Sequence, residues 1–207
     1  MIMQDSHKDF IDMNNTFDTS SIKFHSVSEQ GMLLDRRASI GNQRTNVNLV
    51  PDWSREQKSF LSWCPSRSLL ASIRAYQKWS MSASPFAIIF KKIAVVRHIF
   101  WSILTGADIP LNCKIGGGLL IPHPQGIVIH PDAVIGQNCL IFQQVTIGTR
   151  NDSSPPTVGD HVDIGAGAKV LGSINIGNHA KIGANAVVLT SVQRGKTAVG
   201  IPAVMIT

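Results

Sequence analysis

Aliphatic residues return at every sixth position along the second half of the chain, between Ile109 and Val192. The longest unbroken series comprises Val158, Ile164, Val170, Ile176, Ile182 and Val188. An earlier series comprises Ile129, Ile135, Ile141 and Ile147, preceded by Ile109, Ile115, Ile121 and Ile127. Four positions after most of these anchor residues stands a small or β-branched residue. Two sets of positions therefore keep the same phase, which indicates an internal repeat rather than a composition bias.

A six-residue period fits neither an amphipathic helix nor a hairpin sheet, and fixed-period self-similarity is typical of a solenoid. Six residues make one short strand and one turn, and three such units close a triangular coil with the anchors inside. Glycine follows several anchors and supplies the positive φ that tight turns require. The pattern predicts a mainly β fold, a parallel β-helix over residues 107–207 whose fourteen rungs make between four and five coils.

A helical spacing of apolar residues precedes the repeat. Pro51-Asp52, Pro65-Ser66 and Ser84-Pro85 each begin a helical pattern, and Gly106 ends the last one. This predicts a small α-helical segment over residues 51–106, with Asp52 as the N-cap of a helix from Trp53 to Trp63. Residues 1–50 are rich in Asp, Ser, Asn, Thr and Gln, and we expect a disordered N-terminal extension there.

The net charge of +6 is concentrated in the helical segment, because residues 51–107 carry eight basic and two acidic side chains. No nucleic-acid-binding motif accompanies this charge, so nucleic acid is not an expected partner. A solvated helical face and peripheral contact with an anionic membrane surface both stay open. No uninterrupted apolar run of about 18 residues and no signal peptide are visible, which favours the cytoplasm, with contact at the inner membrane face left open.

The repeat is interrupted twice, and interruptions of a solenoid are where function is expected, since the intact rungs are used for stacking. The first break lies between Ile121 and Ile129, where the anchors slip by two residues around the segment PHPQG. The second lies between Ile147 and Val158, with eleven residues instead of twelve and the polar segment GTRNDSSPPT.

Units such as IGAGAK and IGANAV are hexapeptide-repeat signatures, and the chain resembles the hexapeptide acyltransferases with a left-handed parallel β-helix. Within them it looks most like the serine acetyltransferases and the related acetyltransferases of exopolysaccharide gene clusters. The resemblance covers about residues 66–207 and includes GADIP, PHPQGIVI, FQQVTIG, VDIGAGAKVLG, AKIGANAVVL and VGIPA. It implies a left-handed coil, acetyl-CoA as the acyl donor and a homotrimer, while pairing of trimers into hexamers stays open.

His123 in the first break is the candidate general base. Acetyl transfer from a thioester to a hydroxyl needs a base near neutral pH, and imidazole is suited to that task. A carboxylate on the second ring nitrogen would fix the tautomer, and Asp108, fifteen residues upstream and nearly one coil away, is the candidate. The resemblance aligns His123 and Asp108 with the catalytic histidine of serine acetyltransferases and its aspartate partner.

The resemblance also implies a donor site in a groove between two prisms of the trimer. The matching positions for acetyl-CoA are Thr149, Ala166, Gly167 and Ala184, with Lys181 near the phosphates. No His, Cys or Asp cluster has the spacing of a zinc site, so no metal is expected. Cys113 and Cys139 occupy small-residue positions of the repeat, which indicates buried, reduced thiols.

The second break departs from serine acetyltransferases. Where they bring an Arg-His pair that binds the amino-acid carboxylate, this chain has Ser154 and Pro155. Arg150 could bind a carboxylate from another angle, and His130 could line the acceptor pocket. Because the guanidinium fork is missing at the matching position, the expected activity is acetyl-CoA-dependent O-acetylation of a sugar hydroxyl in an exopolysaccharide or its precursor. Serine O-acetyltransferase and a non-catalytic trimeric β-helix scaffold are the alternatives.

Overall fold

The computed structural model describes residues 50–59, 62–151 and 153–206. The disorder predicted for residues 1–50 therefore falls outside the described residues, except at Val50. The helices and the β-helix belong to one compact unit, which runs from Asn48 to Thr207.

Among the described residues, two α-helices precede the β-helix: α1 (Pro65–Ser80) and α2 (Ala87–Thr105). Pro65 occupies the first turn of α1, where its missing N–H costs nothing, and Gly106 ends α2 in the left-handed conformation with φ 63°. The helix predicted from Trp53 to Trp63 is wrong in extent. Asp52 does cap it, by accepting a hydrogen bond from Ser54 N at 3.1 Å, but only a 3-10 turn, Trp53–Arg55, forms there.

No helix in the described part of the chain combines the length and the apolarity that a membrane crossing requires. Thirteen short strands follow the helices. They are β1 (Lys114–Ile115), β2 (Val128–Ile129), β3 (Val134–Ile135), β4 (Leu140–Ile141), β5 (Thr146–Gly148), β6 (Thr157–Val158), β7 (Asp163–Ile164), β8 (Lys169–Leu171), β9 (Asn175–Ile176), β10 (Lys181–Ile182), β11 (Val187–Val188), β12 (Thr197–Gly200) and β13 (Ala203–Ile206).

The strands form three sheets, one on each face of a triangular prism. The first sheet has the order β1-β3-β6-β9, the second β4-β7-β10-β12-β13 and the third β2-β5-β8-β11. All pairs are parallel except β12 with β13, an antiparallel hairpin at the C-terminal end. The predicted left-handed parallel β-helix is thus confirmed.

Each face stacks five buried aliphatic anchors, one from every coil. The first sheet contributes Ile115, Ile135, Val158, Ile176 and Val192; the second Ile121, Ile141, Ile164, Ile182 and Ala198; the third Ile109, Ile129, Ile147, Val170 and Val188. Ile127 is not an anchor as predicted, because it stands two positions before Ile129 and fills the small-residue slot that Ala133 fills in the next rung.

The register of the strands gives the size of both interruptions. Asp108 pairs with Val128, twenty residues along, where three six-residue rungs make eighteen, so the first loop inserts two residues. Ile135 pairs with Val158, twenty-three residues along, so the second loop inserts five. The sequence reading of one residue missing from two rungs is therefore wrong: Ile147 and Val158 belong to consecutive rungs.

A partly buried ion pair joins the helical segment to the open end of the prism. The guanidinium of Arg74 contacts Glu56 at 3.0 and 2.9 Å and donates to the carbonyl oxygens of Ile115 at 2.7 Å and Gly116 at 2.6 Å. Glu56 in turn accepts a hydrogen bond from Leu119 N at 3.1 Å. These contacts satisfy backbone groups of the first coil, which has no coil beneath it.

We expect Arg74→Met to lower the free energy of unfolding by about 3 kcal/mol, because it leaves the Glu56 carboxylate and two carbonyl oxygens without the guanidinium hydrogen-bond donor. Lys92→Met, at an exposed position of α2, is the matched control and should change it by less than about 0.5 kcal/mol. Urea unfolding measures both values. Equal stabilities of the two variants would show that the ion pair does not hold the helices to the prism.

Candidate active site

The two interruptions lie on different edges of the prism. The second–third edge, between the second and third sheets, is formed by residues 122–127, 142–145, 165–168 and 183–186. The third–first edge, between the third and first sheets, is formed by residues 130–133, 149–151, 153–156 and 172–174. The first interruption therefore belongs to the second–third edge and the second interruption to the third–first edge.

His123 lies exposed in the first loop, which is bonded directly to the segment that carries Asp108. Gly126 N donates to the carbonyl oxygen of Gly106 at 2.9 Å, and Asp108 N donates to that of Ile127 at 2.8 Å. Asp108 stands on the outer side of the third sheet beside Val128. The two candidate catalytic residues thus belong to consecutive coils at the same end of one edge.

The side chains of His123 and Asp108 are not hydrogen-bonded to each other, and within the described residues neither makes a side-chain hydrogen bond. The predicted fixing of the His123 tautomer by Asp108 is therefore not formed in the single chain. Asp108 instead acts on two buried neighbours. Burial lowers the pKa of His98 while Asp108 opposes that shift, and burial together with Asp108 and Asp132 raises the pKa of Cys113 to about 12.

Three of the predicted donor-site residues lie in line with His123 along the second–third edge. Gly167 N donates to the carbonyl oxygen of Gln143 at 2.8 Å, and Asn185 N donates to that of Ala166 at 2.8 Å, so the turns stack directly on one another. Gly167 has φ 74°, and a Cβ there would collide with Oδ1 of Asn185. Ala184 is exposed beside it. The turns at residues 165–168 and 183–186 consequently form a narrow strip of mainly small residues.

Two lysines flank this strip, one on each adjoining face. Lys181 is exposed on β10, between Asp163 and Thr197 of the neighbouring strands. Lys169 on β8 donates from Nζ to the carbonyl oxygen of Gln144 at 2.6 Å. The sequence reading missed Lys169, although its position one residue before the anchor Val170 places it in the same outward column as Asp108.

Thr149, Arg150 and His130 lie on the third–first edge, away from His123 within one chain. His130 Nδ1 accepts a hydrogen bond from Asp132 N at 3.2 Å and lies 3.9 Å from the Asp132 carboxylate. His130 N donates to the carbonyl oxygen of Ile147 at 2.8 Å, so this histidine is part of the turn directly beneath the second loop. The single chain therefore separates the predicted site residues into two groups.

The second loop forms one wall of an open cavity of about 400 Å³. Arg150 and Ser153 close a turn, in which Ser153 N donates to the carbonyl oxygen of Arg150 at 3.1 Å and Arg150 N donates to Ser153 Oγ at 3.3 Å. Gly172, with φ 93°, lies beneath this turn, where an added Cβ would be 3.5 Å from the Cβ of Arg150. The exposed guanidinium of Arg150 makes no hydrogen bond to any described residue, so it is available to a ligand.

Within residues 50–59, 62–151 and 153–206, no three His, Cys, Asp or Glu side chains are grouped as metal ligands would be. Cys64, Cys113 and Cys139 are free thiols, of which Cys113 and Cys139 are buried as predicted.

Comparison with known proteins gives a consistent family. A model of the hexapeptide repeat of succinyl-transferase matches residues 155–190. Serine acetyltransferase from Synechococcus elongatus is 45% identical over 107 residues, which are 50% of this chain and 44% of that protein. The chain spans about half the length of the curated relatives that it matches first.

Solved structures show the same relationship. A serine acetyltransferase in complex with cysteine is 32% identical, with a TM-score of 0.60 over 87% of this chain and 72% of that one. A serine acetyltransferase in complex with CoA is 36% identical, with a TM-score of 0.58 over 70% of this chain and 58% of that one.

These relatives correct the expected acceptor. The sugar hydroxyl was inferred from Ser154 and Pro155, which replace a carboxylate-binding pair, yet the relatives and the solved structures are serine acetyltransferases. The inference failed because it compared single positions in a loop whose length is not fixed by the repeat. Arg150, at the start of that loop, offers a guanidinium that the comparison of Ser154 and Pro155 could not detect.

The buried thiols provide a test of the packing around this site. Burial raises the pKa of Cys113 to about 12 and that of Cys139 to about 11, so the reactive thiolate is scarce near pH 8. We expect a thiol reagent to modify one cysteine per native chain, Cys64, and to modify none in Cys64→Ser until the protein is unfolded. Peptide mass spectrometry identifies the modified residue, and rapid native labelling of Cys113 would contradict the packing.

Proposed function

The chain belongs to the hexapeptide-repeat acyltransferase family, and from that premise we propose that it is a serine O-acetyltransferase, which transfers the acetyl group of acetyl-CoA to the hydroxyl of L-serine. The observation that carries the proposal is the first loop. It presents an exposed imidazole, His123, beside the segment of Asp108 at one end of a strip of small residues. The chain is also 32% identical to a serine acetyltransferase over 87% of this chain and 72% of that one.

In the proposed reaction, a ring nitrogen of His123 accepts the proton of the serine hydroxyl as its oxygen attacks the thioester carbonyl. The new C–O bond forms a tetrahedral intermediate, the C–S bond then breaks, and the imidazolium returns its proton to the departing CoA sulfur. Atoms and charge balance without any further reagent. In this proposal, Asp108 stabilises the imidazolium once the acceptor has entered and water has been excluded.

The strip of small residues on the second–third edge is the proposed binding path for the donor. Ala166, Gly167 and Ala184 themselves carry no side chain larger than a methyl group, so the amide-bearing arm of acetyl-CoA could approach the backbone along this strip. Lys181 and Lys169, on the two adjoining faces, supply positive charge for its phosphates. Thr149 contributes only if another chain brings the third–first edge to this strip.

We propose a homotrimer for that reason. The first group, around His123, and the second group, around Arg150, lie on different edges of the same prism. Three prisms around a threefold axis would bring the second–third edge of one chain against the third–first edge of the next, and this heterologous contact closes into a ring. The arrangement joins the proposed base, donor strip and acceptor cavity in each of three sites.

Arg150 is the proposed partner of the serine carboxylate. Arg150 lines the 400 Å³ cavity, its guanidinium makes no hydrogen bond to described residues, and its backbone is held by Ser153. A planar guanidinium binds a carboxylate through two parallel hydrogen bonds, which gives orientation as well as affinity. It therefore takes the role that Ser154 and Pro155 cannot perform.

Substitution of His123 by alanine should lower kcat for serine acetylation by at least about 100-fold, because the hydroxyl loses its base. Binding of CoA, measured by calorimetry, should stay nearly unchanged. His179→Asn is the matched control: His179 has φ 61° on the remaining edge, and asparagine occupies such a position at Asn138. That variant should keep the wild-type rate. A normal rate in His123→Ala would remove this residue from the mechanism, and an inactive wild type would favour the scaffold.

Substitution of Arg150 by glutamine should raise KM for L-serine on the order of 10- to 100-fold, with kcat and the KM for acetyl-CoA changed by less than about threefold. The KM for L-serine of Arg150→Lys should lie between those of the wild type and Arg150→Gln, since lysine keeps the positive charge but cannot form two parallel hydrogen bonds to the carboxylate. Arg194→Gln removes an exposed arginine from the first–second edge and serves as the control. An unchanged KM for serine in Arg150→Gln would place the carboxylate elsewhere.

A further inference from the structure

Helix α2 exposes a continuous apolar surface, which we call the outer face of α2. Its members are Ile88, Ile89, Phe90, Ile93, Val96, Ile99, Phe100, Ile103 and Leu104, whose exposed fractions range from 43% to 78%. The opposite side of the helix is packed, with Ala87, Ala94, His98 and Thr105 buried. The outer face is therefore the reverse of a solvated helix surface, on which polar residues would stand.

The helical stretch that contains the outer face carries charged residues of one sign only. No Asp or Glu occurs between Glu56 and Asp108, whereas this stretch contains Lys58, Arg67, Arg74, Lys78, Lys91, Lys92 and Arg97. Lys92 and Arg97 are exposed on α2 itself, among the apolar residues of the outer face. Arg74 alone of these seven forms an ion pair within the described residues. The apolar surface thus carries two exposed cations, Lys92 and Arg97, that form no ion pair with any described residue.

We propose that α2 lies in the interface of an anionic lipid bilayer, with its axis parallel to the membrane plane and its outer face in contact with the acyl chains. A helix with an apolar face and basic residues beside it is suited to this position, because the apolar side chains leave water while the cations meet anionic headgroups. The cytoplasmic leaflet carries such headgroups. This inference is independent of the acceptor and of the catalytic residues.

Two other occupants fit the observations less well. The described helices do not meet the requirements of a membrane crossing, so α2 is expected to lie on the bilayer rather than span it. A second copy of the chain in a twofold contact would place this patch against itself. Lys92 and Arg97 of both copies would then meet with no carboxylate on the helix to compensate them, which disfavours the contact.

Aromatic side chains at the start of α2 support the orientation. Trp79 at the end of α1 stacks on Phe90 at a ring distance of 4.5 Å. Lys78 Nζ lies 5.8 Å from the centroid of the Trp79 ring, and Lys91 Nζ lies 5.0 Å from the centroid of the Tyr76 ring. Aromatic rings with a polar edge and basic side chains that extend past apolar ones are the residues that anchor proteins at a membrane surface.

Co-sedimentation of the full chain with vesicles tests the proposal. The probes are vesicles of phosphatidylcholine with 40% phosphatidylglycerol and vesicles of phosphatidylcholine alone. We expect the protein to sediment with the anionic vesicles at low salt, and at least about 10-fold less protein to sediment with the neutral ones. The double variant Val96→Glu, Ile103→Glu should lose this binding by at least about 10-fold, because it places two carboxylates in the outer face.

The matched control is Ile201→Glu, Val204→Glu, which alters two positions of similar exposure at the C-terminal end of the β-helix. The four substituted positions are all exposed, so both double variants should fold, and circular dichroism checks this. Because both variants change the charge equally, retained binding in the control together with loss in the α2 variant assigns the effect to the outer face.

A second pair of substitutions separates charge from apolar contact. Lys92→Gln with Arg97→Gln leaves every apolar residue in place and should weaken binding to anionic vesicles on the order of 10-fold, with a shallower dependence on salt. Two results would overturn the proposal: no sedimentation of the wild type with anionic vesicles at low salt, or binding that Val96→Glu, Ile103→Glu leaves unchanged. A wild type that stays unbound while this variant dissociates an oligomer would assign the outer face to a second copy.

Discussion

The stacking of aliphatic anchors inside the prism is the constraint on which the rest of the structure depends. Five anchors per face, from Ile109 to Ala198, are buried against those of the coils above and below. Removal of a buried Ile or Val side chain typically costs about 2–5 kcal/mol, so the inward direction of these residues is strongly constrained. The alternate positions then point outward in fixed columns, as Asp108, Thr146 and Lys169 do on the third sheet.

The same constraint determines where chemistry can be placed. Extra residues within a rung would turn every following anchor away from the core, whereas extra residues at a corner leave the register intact. The two inserted segments, of two and five residues, are accordingly both at corners. One presents His123 and the other presents Arg150, and since they occupy different edges, a complete site of the proposed kind requires a neighbouring chain.

The period of the repeat made the fold predictable, because burial of two residues in every six is visible in the sequence without any knowledge of partners. The break at PHPQG was found in the same way. Ile127 was assigned wrongly because an aliphatic residue filled a small-residue slot next to a two-residue insertion. The helix from Trp53 failed for another reason: Arg55 and Glu56 use their side chains to bind the prism, a tertiary effect that local spacing does not reveal.

The acceptor could not be predicted from the repeat at all. It depends on a polar loop with five inserted residues. Comparison of Ser154 and Pro155 with the carboxylate-binding pair at the matching positions predicted a sugar acceptor, whereas the relatives are serine acetyltransferases. The outer face of α2 was hidden for a similar reason, because the sequence alone does not show which side of an apolar helix the prism covers. Lys169 was not predicted as a donor-site residue, since its proposed contact with the phosphates depends on its position beside the second–third edge.

Product analysis tests the central claim most directly. The purified protein would be incubated with L-serine and acetyl-CoA labelled with ¹³C in the acetyl group, and the products would be identified by mass spectrometry. The account predicts labelled O-acetylserine in an amount equal to the CoA released, and none when serine is omitted. Absence of labelled O-acetylserine from a folded protein that binds CoA would contradict it.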